Sequence, residues 1–401
     1  MKTATALGTA RYASRKIEEG MPSSAFRLLG RTGLTNSIVG FGCYRISQES
    51  PTHRASLELA LGRGCNLIDT STNYTDGSSE RVVGDVLREG IRQGSMARDE
   101  IIVVSKVGYV QGSNLELAMR KEREGSPYPE MVKYADGCWH CIHPEFISDQ
   151  LGRSLERLGL ETLDSYLLHN PEYFFSDAHH REDGTPLALL REQFYDRIRR
   201  AFERLEDEVG KGRIAHYGVS SNTFGGRPGT FEMTSMTQML EIARDIAGHR
   251  HGDPTRHHFS VVQLPMNFFE SDPMLEKNNG QDRQETALEF ALEKELGLLV
   301  NRPLNSFFKG QLLRLADFGD EHAGAKEISQ AISHQVNYFL PESLTGQSLS
   351  RRAIAVLANT AGVSCVLNGM RRQEYVDDAM GVLELEPFEV KPALFESFRA
   401  V

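Results

Sequence analysis

LIDTSTNY, at residues 67–74, is a short apolar run that ends on an acid, a set of hydroxyls and a phenol. IIVVSK (101–106) repeats the pattern and ends on Lys106, and DSYLLH (164–169) ends on His169. Such runs are short and apolar on both alternating faces, as strands buried between two layers are. A carboxylate (Asp69), a phenol (Tyr74), an ammonium and an imidazole thus stand where three buried strands stop. In a barrel of parallel strands, those ends gather on one face. Side chains far apart in sequence would then share one proton-transfer site.

The same alternation continues outward. SIVGFG (37–42), IAHYGVS (214–220), FSVVQLP (259–265), LGLLVNRPL (296–304) and VSCVLNG (363–369) are further apolar runs, each followed by a helix-like segment. Eight strand-then-helix units predict an α/β fold, a closed (β/α)8 TIM barrel rather than an open doubly wound sheet. FRLLGRTGLTNS, with its glycines and turn residues, predicts an N-terminal β-hairpin ahead of the first barrel strand. The 401 residues exceed a minimal barrel of about 250. The excess falls near 107–142, 170–190 and 305–346, each directly after a strand, so these insertions should overhang the C-terminal face as substrate walls. Residues 1–25 read as a disordered tail, and 26–401 as one barrel domain.

Composition narrows the function. The net charge of −10 disfavours nonspecific binding to nucleic acid or to anionic lipid. No apolar run has the length of a membrane helix, and the first 20 residues lack the apolar core of a secretory signal. Five cysteines in this length do not make a disulfide framework and suit a reducing, cytoplasmic setting. The expected partner is a small molecule, with the chain a monomer or homo-oligomer.

The ordered segments GRTGLTNSIVGFGCYR, LIDTSTNY, GSSERVVGDVL, VVSKVGY, SLERLGLETLDSYLLH, GRIAHYGVSSN, QLPMNFFE and RPL resemble the aldo-keto reductase superfamily over residues 27–381. The resemblance implies a catalytic tetrad at Asp69, Tyr74, Lys106 and His169. The chemistry agrees: a free phenol with a pKa of about 10 is a reluctant acid, and a lysine beside it would lower that value. On this reading, Asp69 keeps Lys106 charged, and His169 donates a hydrogen bond to a substrate carbonyl. Taken singly, a strand-end lysine is a solvated charge and a tyrosine is packing; four matched positions together make a site.

No G-x-G-x-x-G follows the first strand, so a Rossmann fold is not supported. The resemblance implies instead NADP(H), or NAD(H), extended across the barrel face. Gly42, Cys43 and Tyr44 would line its nicotinamide end beside Asp69. Ser220, Asn222 and Gln263 would hold the carboxamide, with Ser221 a substitute for Asn222. Arg302, Pro303 and Leu304 would wrap the diphosphate. Gly369 opens the last helix, where Arg371 or Arg372 would clamp a 2′-phosphate. Tyr375 and Ala379 stand where many members carry residues that touch the adenosine. Tyr109 and Trp139 would supply an apolar substrate surface.

Two other clusters carry less. Cys138-Trp139-His140-Cys141 with His143 has no second C-x-x-C and spacing too tight for a tetrahedral zinc site, so no metal is expected. HRHGDPTRHH (249–258) precedes a strand and belongs to the opposite, stability-related face. The function expected is NADPH-dependent reduction of aldehydes or ketones, or the reverse alcohol oxidation. A sugar (aldose) dehydrogenase is the alternative within that chemistry. A cofactor-sensing regulatory subunit on the same fold is the alternative outside it.

Overall fold

Eight parallel strands close into a barrel in a computed structural model that describes residues 3–181, 184–308, 311–315 and 323–399. The strands are β1 (Val39–Gly42), β2 (Leu67–Asp69), β3 (Ile102–Val107), β4 (Leu163–His169), β5 (Ile214–Ser220), β6 (Phe259–Pro265), β7 (Gly297–Asn301) and β8 (Cys365–Asn368). All eight fall on the expected apolar runs, β3 and β4 each reaching one residue beyond. Their order around the barrel is the chain order, closed by β8 pairing with β1. A helix follows each strand, and the outward residues Val39, Phe41, Ile68, Val103, Leu168 and Val262 pack against this helical layer in one large core.

Strand alternation decides what enters the barrel. Leu67, Val104, Leu167, Val261, Leu299 and Cys365 point to the axis and form a separate inner core with Leu29 and Leu34 of the hairpin floor. Two residues further along each strand, the same inward face carries Asp69, Lys106, His169, Gln263 and Asn301. β1 approaches so closely that a Cβ on Gly40 would stand 2.9 Å from Cys365 Sγ and 3.1 Å from Leu67 Cδ2. The hairpin pairs Phe26–Leu28 with Thr35–Ser37 and closes the opposite end.

The N-terminal segment departs from expectation. Residues Ala6–Glu18 form a helix, capped by Thr5, whose side chain accepts from Gly8 N. Tyr12 is buried with its hydroxyl 2.9 Å from Leu61 O. Arg11 reaches Asp99 at 3.1 Å, and Arg15 reaches Glu100 at 2.9 Å. The reading of 1–25 as a disordered tail is therefore corrected: tertiary ion pairs and one buried phenol hold a helix with little apolar surface of its own.

The insertions follow strands, as expected. After β3, the strands Tyr109–Val110, Val132–Ala135 and Cys138–His140 form an antiparallel three-stranded sheet beside the helix Gly112–Arg123. After β4 comes the helix Tyr173–Arg181, and after β7 an antiparallel pair, Asn305–Phe308 with Gln311–Arg314. Residues 309–310 and 316–322 of the third insertion lie outside the described residues. In the histidine-rich stretch, His258 Nδ1 lies 2.7 Å from Glu206 Oε2, and His257 is buried beside Arg31. Among the described residues, no helix is long and apolar enough to cross a membrane.

Candidate active site

At the top of the inward face, Lys106 is fully buried, and its Nζ lies 2.7 Å from Asp69 Oδ2, 2.8 Å from Thr70 O and 3.2 Å from Tyr74 Oη. Burial alone would lower the lysine pKa, but Asp69 and Tyr74 beside it carry it above the usual value. Burial also raises the Asp69 pKa, while Lys106 and Gln263 oppose that rise. Tyr74 belongs to the turn after β2 and turns its hydroxyl back to the lysine. Its pKa is pushed up to about 12, because burial outweighs the nearby ammonium. The expectation of a phenol more acidic than free tyrosine is thus reversed: Lys106 only limits the rise, and the phenol stays protonated at neutral pH.

His169 ends β4 with its ring edge-on to Tyr74, centroids 5.8 Å apart, and to Tyr109 at 4.7 Å. Its pKa is held well below the usual value by burial and by Lys106, so the ring is neutral. Its carbonyl oxygen accepts from His140 Nε2 at 2.7 Å. Gly108 passes between these two: a Cβ there would stand 2.5 Å from both His140 Nε2 and His169 O. The insertion sheet is thereby locked onto the end of β4. Tyr109 stands beside His169, with its hydroxyl accepting from Asn170 Nδ2 at 2.8 Å. Trp139 lies on the same sheet, its indole covered by Lys133 at 4.5 Å.

Beside the tetrad runs an amide network. Gln263 Nε2 donates to Asp69 Oδ1 at 2.9 Å, and its Oε1 accepts from Ser220 Oγ at 3.1 Å and from Asn301 Nδ2 at 3.2 Å. Asn301 Oδ1 and Arg302 Nε, at the end of β7, are buried with no partner among the described residues. The unused Asn301 acceptor, on a side chain bonded to Gln263, fits a polar ligand group such as a carboxamide. Arg302 adopts φ of 53° and pairs with Glu270 at 3.1 Å, while its Nη2 reaches Asn222 Oδ1 at 3.4 Å. Pro303 is buried and Leu304 half-buried in the same turn.

Two expected cofactor residues, Cys43 and Ser221, turn their side chains away from the inward face. Cys43 follows inward Gly42 and so points outward, fully buried in the core, with its thiol pushed well above the usual pKa by burial. Ser221 follows inward Ser220 and points outward too, with its hydroxyl 2.9 Å from Thr234 Oγ1. The backbone N–H of Asn222 is taken by Glu172 Oε1 at 2.7 Å. Ala379 is fully buried. Tyr44 is 63% exposed and stands edge-on to Tyr74, centroids 5.3 Å apart. Gly369 is exposed beside Gly42, with Arg371 and Arg372 just beyond. Arg372 lies over the Tyr375 ring at 5.9 Å. Cys138 accepts from Gln111, whereas Cys141 is buried against Pro129 O, so the two thiols face different partners.

The sequence reading missed Ser71, whose Oγ lies 3.1 Å from His169 Nδ1, with Asn73 and Gln111 beyond it, and Glu172, Asn170 and Asn301. All lie within three residues of an expected site residue, which was the available signal. Burial raises Glu172 to a pKa of about 7, and Glu232 adds to the rise.

Residues 39–391 match the profile of the Aldo/keto reductase family. A segment of the chain is 30% identical over 150 residues to an NADH-specific methylglyoxal reductase of Escherichia coli, covering 35% of this chain and 40% of that protein. Another is 25% identical over 199 residues to an NADPH-dependent D-xylose reductase of Meyerozyma guilliermondii, covering 47% of this chain and 50% of that protein. The matched segments thus span half or less of these relatives. Among solved structures, an aldo-keto reductase of Bacillus halodurans superposes with a TM-score of 0.58 at 18% identity, covering 94% of this chain and 95% of that one. An aldo/keto reductase of Klebsiella pneumoniae, solved with NADP and acetate, superposes with a TM-score of 0.53 at 17% identity, covering 93% and 94%. At these identities the superpositions speak for the fold, the same closed barrel. The profile match spans most of the chain: this protein belongs to the aldo/keto reductase family.

Proposed function

We propose that this family member is an oxidoreductase that interconverts a carbonyl and an alcohol, with Tyr74 as the general acid and base. The observation that carries the reading is the fully buried Lys106 ammonium set between Asp69 and the Tyr74 hydroxyl. A bound nicotinamide cofactor supplies or accepts the hydride. Ser220, Gln263 and Asn301 would hold its carboxamide end, Arg302 its diphosphate, and Arg371 and Arg372 a 2′-phosphate. The last pair favours NADPH. The relatives include both an NADH-specific and an NADPH-dependent reductase, so the arginine pair rather than the family decides this chain's preference.

The chain's own residues divide the proton work. Tyr74, protonated at neutral pH, gives its hydrogen to the oxygen of the nascent alkoxide. Lys106 stabilises the phenolate that remains, and its charge is held by Asp69. Tyr44 and Tyr109 stand edge-on to Tyr74 and His169, and Tyr173 packs behind Tyr109. The substrate class is a small aldehyde, ketone or sugar.

The test is oxidation of NADPH and NADH by the purified protein against a panel of aldehydes, ketones and sugars, together with the reverse reaction on alcohols. Turnover with at least one class, lost in Tyr74→Phe, is expected. Tight cofactor binding without turnover of any panel member would overturn the enzymatic reading and favour a cofactor-sensing subunit.

A further inference from the structure

The turn that follows Tyr74 is wound against the preference of its residues. Thr75 (φ 47°, ψ 43°) and Asp76 (φ 52°, ψ 45°) are both left-handed, and Gly77 continues at φ 78°. Glycine enters that conformation freely, and asparagine or aspartate enter it singly. Two side-chain-bearing residues in succession, the first of them β-branched, are strained there. Such strain persists only where the surroundings impose the conformation. Here both side chains are tied. The Thr75 hydroxyl donates to Ile46 O in the loop after β1. Asp76 Oδ1 accepts from Ser113 N at 3.0 Å and from Ser113 Oγ at 2.8 Å.

The second tie reaches the insertion after β3. Ser113 stands in the first turn of the helix Gly112–Arg123. That helix receives no capping hydrogen bond from the side chain of its own N-cap residue, Gln111, and has no acid in its first turn. Asp76 supplies the acceptor and the negative charge from outside. The two segments approach so closely that a Cβ on Gly112, itself at φ 52°, would stand 2.7 Å from Asp76 Oδ1. On the other side of Tyr74, Asn73 Nδ2 donates to Gln111 Oε1 at 3.1 Å. The start of one inserted helix thus grips the chain before and after the phenol.

We propose that Thr75 and Asp76 are positioning residues: their ties hold the turn in its strained winding and so keep the Tyr74 hydroxyl against Lys106. This rests on the reading of Tyr74 as the general acid. With a tie cut, the strain drives the turn toward ordinary backbone. The Tyr74 ring, edge-on to Tyr44 and His169 and 4.7 Å from Lys106 Nζ, would be drawn away with it. The insertion then does more than extend the barrel face, because it fixes the place of the proton donor.

Tyrosinate absorbance of the full-length protein, each variant minus the same variant carrying Tyr74→Phe, reads the setting of the phenol. In the wild type, burial pushes its ionisation up to about 12, and Lys106, Asp69, Cys43 and His169 are the titratable groups that face it. Asp76→Ala should expose the ring and bring ionisation down toward the free value of about 10. It should also lower kcat for carbonyl reduction by about tenfold, the worth of one hydrogen bond, with KM and cofactor affinity little changed. Asp76→Asn keeps the oxygen for Ser113 and tolerates the left-handed conformation, so it should restore both quantities and separate the tie from the charge of Asp76. Thr75→Ala cuts the tie to Ile46 and should act in the same direction, with Thr75→Ser restoring it. This second pair carries the test should Asp76→Ala fail to fold. Ionisation unmoved in both alanine variants, or losses that Asp76→Asn and Thr75→Ser do not repair, would overturn the positioning role. The titration needs no turnover, so its failure is distinguishable from failure of the enzymatic reading, which would appear as an inactive wild type.

Discussion

Gln263 holds one oxygen of the Asp69 carboxylate at 2.9 Å while Lys106 holds the other at 2.7 Å. The Gln263 amide network and the proposed proton-transfer pair therefore share a single buried acid. Gln263→Glu would set a second carboxylate against Asp69, and two such groups in contact do not both ionise. Weaker cofactor binding and a lower kcat are expected together in this variant, measured by calorimetric titration and by initial rates. A change in only one of the two would show that the ends are not coupled.

Tyr74→Phe should lower kcat for carbonyl reduction by at least about a hundredfold, the usual contribution of a general acid. Cofactor affinity should be nearly unchanged, since the ring remains. Near-normal turnover would remove Tyr74 from the mechanism.

The Tyr74 pKa of about 12 fixes the pH dependence. Reduction uses the protonated phenol, so this group supports activity below that value and withdraws support only as pH rises through it. Titration of tyrosinate absorbance, wild type minus Tyr74→Phe, should therefore show Tyr74 still protonated at about pH 10, where free tyrosine is half ionised. Lys106→Met removes the nearby positive charge, so ionisation should move still higher and the rate should fall. It also strands Asp69 without its buried partner, a loss of about 3–5 kcal/mol in stability. Half-ionisation of Tyr74 near pH 10 in the wild type would contradict the burial argument.

Arg371→Ala with Arg372→Ala should weaken NADPH by roughly ten- to a hundredfold and leave NADH nearly as before, since about 1.5–3 kcal/mol is lost with a charged hydrogen bond. Titration of both cofactors by calorimetry checks it. Equal weakening of the two would mean that these arginines do not recognise the 2′-phosphate.

Glu172 supplies a stability prediction. Its pKa of about 7 lies above that of an exposed glutamate. Its contribution is thus full in acid and is lost as pH rises through about 7, where the native protein takes on a buried charge. Glu172→Gln keeps an acceptor for Asn222 N and removes that charge. The variant should match wild type at about pH 5 and exceed it by up to about 3 kcal/mol at about pH 9 in urea unfolding. An equal effect at both pH values would place the ionisation of Glu172 elsewhere.

The parts of the fold that were legible were local. Each barrel strand is one apolar run, and Asp69, Lys106 and His169 each end such a run. Strand parity also explains the misreadings at Cys43 and Ser221: both are one residue past an inward position and turn into the helical layer. The helix Ala6–Glu18 was hidden because its anchors, Asp99 and Glu100, are remote in sequence, Arg11 and Asp99 being 88 positions apart. The Tyr74 pKa was misjudged because sequence shows the neighbouring lysine but not the depth at which both are buried.

Trp139, the chain's single tryptophan, lies on the three-stranded sheet that His140 fastens to the end of β4. One indole means one emitter, with no background from a second, and Lys133 above its face makes the emission sensitive to any shift of that sheet. The protein thus carries its own optical gauge on the sheet inserted after β3. Ligands that press on the insertion should register as a change in colour or intensity, and those that bind only along the far rim should leave it dark to the instrument.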